Sequence, residues 1–145
     1  MLIKIIEKDE EKITISDLIE NVKKSSQIDE CGAIFSFEGI VRGKEDETEV
    51  KKLILSTPNK KEIQNGLESI VKEAKEKYST GDIAVVHYLG EFYTGETLFL
   101  VVVSGNHRQE TLKALQEIIE RTKFDLDFQK DEHTTQGTNI IMSGG

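Results

Sequence analysis

Two lysines and a short basic turn are the residues of this 145-residue chain whose types and spacing could do chemistry. Lys123 and Lys130 lie seven positions apart, and between them Leu126, Phe128 and Lys130 alternate with Asp127, Gln129 and Asp131. On a strand, that puts Lys130 on the face of two large apolar residues, the face that should be buried. A lysine there is costly unless an anion or an acid meets it. Desolvated beside a second cation, it has a lowered pKa and can act as general acid or base. The alternative is a strand-end lysine that snorkels to solvent. Upstream, His107 and Arg108 follow the break Ser104-Gly105-Asn106. There they fall in the first turn of a helix, among unpaired backbone N–H groups that favour an anion. Arg42 closes the run Gly39-Ile40-Val41-Arg42-Gly43 and, taken alone, reads as a strand-end arginine in a salt bridge.

The elements that position these residues follow from pattern. Leu98 to Val103 is six apolar, mostly β-favouring residues, a strand buried on both faces. Leu112, Leu115, Ile118 and Ile119 recur at helical spacing, so a helix runs from near His107 to near Lys123, with Asn106 suited to its N-cap. Earlier, Leu2 to Ile6 is a strand, and Ser16 can cap a helix striped by Leu18, Ile19 and Val22. Gly32 to Val41 and Val50 to Leu55 read as strands joined through a solvated hairpin loop at Lys44 to Glu49. Thr57-Pro58 starts a second helix with proline at its first position, running to about Lys77 and ended by Gly81. Asp82 to Tyr88 is a strand, with a turn flanked by Gly90-Glu91 and Gly95-Glu96. Glu132 to Gly137 is a polar turn, and Thr138 to Met142 a last strand before a loose tail. Strands thus meet through turns more often than through helices. The expected class is α+β, a single domain over 1–145 with about three helices and a largely antiparallel sheet.

The composition bounds the function. There are 27 acidic and 19 basic residues, a net charge of −8, which argues against non-specific nucleic-acid binding and makes any phosphate site a local cationic pocket. No signal peptide and no apolar run of membrane-spanning length is present, and one cysteine fits a reducing cytosol, so a cytoplasmic protein is expected. No His/Cys/Asp/Glu grouping has metal-ligand spacing, so neither metal nor cofactor is expected. Cys31 is preferred as a structural cysteine, His87 as a packed and hydrogen-bonded histidine, and Tyr78 and Phe92 as core; His133 is given no role.

Four blocks together resemble the large, catalytic subunit of molybdopterin synthase. They are Gly39-Ile40-Val41-Arg42, then His87-Tyr88-Leu89-Gly90-Glu91 with Gly95-Glu96, then Ser104-Gly105-Asn106-His107-Arg108, and last Lys123 followed by Lys130-Asp131-Glu132. The resemblance implies an α/β-hammerhead-type fold and a homodimer within a heterotetramer. Each copy would bind a small ubiquitin-like sulfur-carrier subunit whose C-terminal Gly-Gly tail enters as a thiocarboxylate. Sulfur would pass to cyclic pyranopterin monophosphate, giving the dithiolene of molybdopterin. Lys123 and Lys130 would be catalytic. Ile40, Val41, Arg42, His107, Arg108, Asp131 and Glu132 would join them in binding substrate. The chain departs from the family pattern at Leu55-Ser56-Thr57-Pro58, where aromatic residues are usual, and at Tyr88, Thr122, Gln129 and Asp131. The Gly144-Gly145 ending imitates the partner's tail and is read as chance. Two other classes are a non-enzymatic dimeric anion-binding or regulatory α+β module, and an acylphosphatase-like hydrolase suggested by Gly39 to Gly43 alone. Neither explains the paired lysines.

Overall fold

A computed structural model describes residues 1–45 and 47–141, with side chains at 45 and 139–141 left aside. Its longest strand organises it. β5 (Ile83–Phe92) runs along β6 (Thr97–Gly105) through residues 83–87, lies parallel to β1 (Leu2–Glu7) through 84–89, and at 90–92 turns to β4 (Thr48–Ser56). β2 (Ala33–Ile40) borders β6 at one end of the sheet. Beyond β4 come β7 (Gln129–Thr134) and β8 (Gly137–Ile141), giving the order β2-β6-β5-β4-β7-β8, with the two-residue β3 (Lys44–Glu45) on β4. Every pairing except β1–β5 is antiparallel.

Every residue from Phe99 to Gly105 is buried, as expected of a strand covered on both faces. Three helices supply cover: α1 (Ile15–Lys23) over β5 and β6, α3 (Arg108–Asp125) over β6 and β2, and α2 (Lys60–Tyr78) against β1 and α3. The open edge of β1 is closed by Gln64 of α2, whose side chain accepts from the Ile5 N–H and donates to the Ile3 carbonyl, both at 2.8 Å. The α+β class, the three helices and the largely antiparallel sheet are as the sequence pattern predicts.

Several local expectations are corrected. β2 and β4 are not hairpin partners: β2 pairs with β6, and only the short Lys44–Glu49 and Glu45–Thr48 ladder forms at the turn between them. The N-cap of α1 is Thr14, which makes a reciprocal capping box with Asp17. That of α2 is Asn59, whose side chain accepts from the Glu62 N–H, so Pro58 precedes the cap. α2 ends on Ser79 in the left-handed region (φ 49°) rather than at Gly81. Gly81 instead answers to packing, since a Cβ there would stand 2.7 Å from both Cys31 Sγ and Ser104 Oγ. α3 caps at His107, not Asn106, and its buried stripe is Thr111, Ala114, Leu115, Ile118 and Thr122, leaving Leu112 exposed. Glu132 is not in a turn; β7 continues to Thr134. Tyr78 is half-buried and Phe92 fully buried. Met142 and the Gly144-Gly145 ending lie outside the described residues.

Candidate active site

A cavity of about 220 Å³ opens where β2 ends, α3 ends and β7 begins. It gathers Ile40, Val41, Arg42, Lys123, Lys130 and Glu132, residues from three separated stretches of the chain. Each arrives by an identifiable device. The β2–β6 register slips between Gly39 and Ile40, a bulge of the kind that re-aims side chains beside sites, and the run continues into an exposed Arg42. Val41 is held by two backbone bonds, its N–H to Glu96 and its carbonyl from Gly95. Lys123 stands exposed in the last turn of α3, where a cation suits the helix dipole. Lys130 opposes Leu55 and Glu132 opposes Leu53 across the β4–β7 ladder, which puts both on the buried face. Asp131 alternates to the other face, opposite Ile54, and does not line the cavity.

The electrostatics follow from that placement. Burial, and then the charge of Lys123, hold the Lys130 ammonium below the usual lysine range, with Glu132 pulling the other way. Among the described residues, no salt bridge includes Arg42 or Lys123. The mouth therefore carries two unneutralised cations above a third whose charged form is disfavoured. Such a set attracts an anion and supplies a lysine that gives up its proton more readily than an ordinary one.

His107 and Arg108 are elsewhere. Both are exposed at the start of α3, and neither lines the cavity. Fifteen helical positions separate Arg108 from Lys123, roughly 22 Å along the axis. Within one chain the two basic groups therefore cannot grip one small substrate. Of the departures from the family pattern, Leu55 and Thr122 border the cavity, while Tyr88, Gln129 and Asp131 do not. Tyr88 is buried away from it, and its hydroxyl pins the segment after β1 by accepting from the Ile13 N–H at 2.8 Å. Gln129 is exposed and bonds Asp131. The Gly39 to Arg42 run forms one wall of the lysines' cavity rather than a phosphate loop of its own.

His87 is packed and hydrogen-bonded in β5, as the sequence reading has it, but that reading missed that the residue also lines this cavity. Its signal was the alternation of Val85, His87 and Leu89 in the strand, which does not say which end of a face opens onto a cavity. Cys31 is half-buried and donates to the Gln27 carbonyl. Among the described residues no group of three or more His, Cys, Asp or Glu could hold a metal ion, and no helix is long and apolar enough to cross a membrane.

Known proteins resemble this chain in sequence and fold. The sequence profile of the MoaE protein family matches residues 8–125. The molybdopterin synthase catalytic subunit of Pyrococcus abyssi is 33% identical over 127 residues, 88% of this chain and 82% of that one. That of Escherichia coli is 34% identical over 114 residues, 78% of this chain and 75% of that one. Among solved structures, molybdopterin synthase from Staphylococcus aureus superposes with a TM-score of 0.80 at 23% identity, covering 96% of each chain. A complex of subunits 1 and 2 of molybdopterin-converting factor from Helicobacter pylori gives 0.70 at 23%, covering 97% of this chain and 89% of that one. These likenesses bear out the α/β-hammerhead-type fold, and with the family match over most of its length the chain belongs to the MoaE family of molybdopterin synthase catalytic subunits.

Proposed function

We propose that the cavity is the sulfur-transfer centre of a molybdopterin synthase. There, cyclic pyranopterin monophosphate would receive sulfur from the thiocarboxylated C-terminus of a small ubiquitin-like partner subunit. The observation that supports this best is the convergence of Arg42, Lys123 and Lys130 on one cavity walled by apolar and aromatic side chains. A cyclic phosphate with a flat ring system needs both kinds of surface. Arg42 offers fork donors for phosphate oxygens. Opening the cyclic phosphate and forming C–S bonds requires proton transfer and stabilisation of developing negative charge, which the lysine pair supplies. Lys123 is the principal catalytic residue in this reading and Lys130 its assistant, the charge of Lys123 adding to burial in holding the Lys130 ammonium below the usual lysine range. Glu132 borders the same space.

His107 and Arg108 enter this reading through the homodimer. Exposed and about 22 Å from Lys123 in their own chain, they can serve the same substrate from a second copy. The Helicobacter pylori complex of subunits 1 and 2 supports the pairing with a small partner subunit. The test is incubation of the chain with cyclic pyranopterin monophosphate and a thiocarboxylated small subunit. Formation of the dithiolene product supports the reading. Tight pterin binding with no product in the assembled complex would favour the anion-binding module.

A further inference from the structure

Four rings run along the cavity: Phe37 meets Phe99 edge-on at 5.9 Å, Phe99 meets His87 at 5.0 Å, and His87 stacks on Phe128 at 4.2 Å and 18°. A fourth phenylalanine at position 87 would complete this wall with no polar atom to bury. An imidazole is costly there unless both of its nitrogens are used. One is accounted for. His87 Nδ1 lies 2.9 Å from the Tyr88 carbonyl, and a carbonyl only accepts, so Nδ1 carries the proton and Nε2 the lone pair. Burial pushes the ring's pKa down to about 4, and the Lys130 charge acts in the same direction, so the ring stays neutral and its tautomer holds near neutral pH.

Nε2 sits across the ring from that backbone bond, and no hydrogen bond among the described residues engages it. Phe128 covers one face of the imidazole and Phe99 packs against it at a tilt, so what the ring offers a guest is its edge. A second polar group in the same wall is also unanswered. The Thr122 hydroxyl is fully buried, lines the cavity, and has no partner among the described residues. Arg42, Lys123 and Lys130 suit an anion, but a neutral acceptor and an orphaned hydroxyl among aromatic rings do not. They suit the polar edge of a flat heterocycle.

We propose that His87 is a substrate-contacting, specificity-determining residue of this cavity, its Nε2 accepting a hydrogen bond from an N–H at the edge of a heteroaromatic substrate. The inference rests on the reading of the cavity as a pterin phosphate site and assigns the group that distinguishes a pterin from phosphate alone. The full chain, in complex with its small subunit, would be titrated with cyclic pyranopterin monophosphate and separately with inorganic phosphate. His87→Phe keeps the stacked ring and removes the acceptor; it should weaken pterin binding about tenfold, some 1.4 kcal/mol, and leave phosphate binding unchanged. His87→Gln, which restores an acceptor, should recover part of the loss. In the wild type, with histidine labelled by ¹⁵N, the unprotonated Nε2 resonance should move on saturation with the pterin while Nδ1 stays put; this needs no variant to fold. Equal pterin affinity in folded His87→Phe, or an Nε2 resonance unmoved at saturation, overturns the proposal and leaves the pterin site standing. No pterin binding by the wild type removes that site and this proposal with it.

Discussion

Lys52 and Lys130 stand on neighbouring strands, β4 and β7, and their ammonium groups are shifted in opposite directions. Lys52 lies on the solvent side, 2.8 Å from the Glu91 carboxylate, and that hydrogen bond holds its pKa above the ordinary lysine value. Lys130 lies on the cavity side, where burial and Lys123 hold its pKa below it. The charged form is favoured in one lysine, at the surface, and disfavoured in the other, at the cavity. The strand residue type is the same, and only the face differs. A functional lysine is recognised here by which side of the pleat it occupies.

The comparison breaks most sharply at Lys130. Lys130→Ala should cost about 10²–10⁴-fold in single-turnover rate, the span usual for a positioned acid or base. Lys130→Arg should not rescue it, because a guanidinium does not deprotonate. Lys52→Ala should leave the rate near wild type, and equal losses in the two variants would dissolve the contrast. Composite sites give the next effect. Arg108→Ala and Lys123→Ala homodimers should each be nearly inactive, whereas mixed dimers of the two should regain one intact site of the two. Mixing without recovery would show that Arg108 does not serve a partner's cavity.

His87 extends the contrast to stability. Its folded pKa of about 4 lies below the ordinary histidine value of 6.5. The unfolded chain therefore binds the extra proton first, and the stability this residue contributes is full above pH 6.5 and lost as pH falls towards 4. The difference amounts to about 3 kcal/mol. Denaturant unfolding of wild type and His87→Phe at pH 7 and pH 4 should show the wild type losing that much more. Parallel pH dependences would contradict it. The smallest effect is expected at Tyr88, remote from the cavity. Tyr88→Phe removes the hydroxyl that accepts from Ile13 and should lower stability by about 1 kcal/mol, with unchanged turnover, read from the same unfolding curves and the assay.

Much of this was legible in the chain. The doubly buried β6, a helix ending near Lys123 and the inward face of Lys130 all follow from apolar periodicity, which records burial directly. Lys123 and Lys130 were singled out by type and spacing and Arg42 only through the family resemblance, and the three do converge. What pattern could not supply is non-local. The β2–β6 pairing in place of a β2–β4 hairpin depends on which strand edges remain open once β5 has recruited β1 and β4. The rotation of α3 that exposes Leu112 depends on the close approach at Gly105, where a Cβ would fall 2.1 Å from Thr111 Oγ1. The separation of His107 and Arg108 from the lysines is a helix length, visible once α3 is known to be continuous. His87 was seen as buried, but that burial borders a cavity only because β2 and α3 end, and β7 begins, around it.

The central claim is that the Lys123–Lys130 cavity carries out sulfur transfer. Its most direct test is single-turnover dithiolene formation by wild type and Lys123→Ala, each first shown to fold and to bind the thiocarboxylated small subunit. Product from the wild type and almost none from Lys123→Ala is the expected result, because Lys123 is exposed and its loss should spare the fold. Comparable product from both would place the chemistry elsewhere and contradict the account.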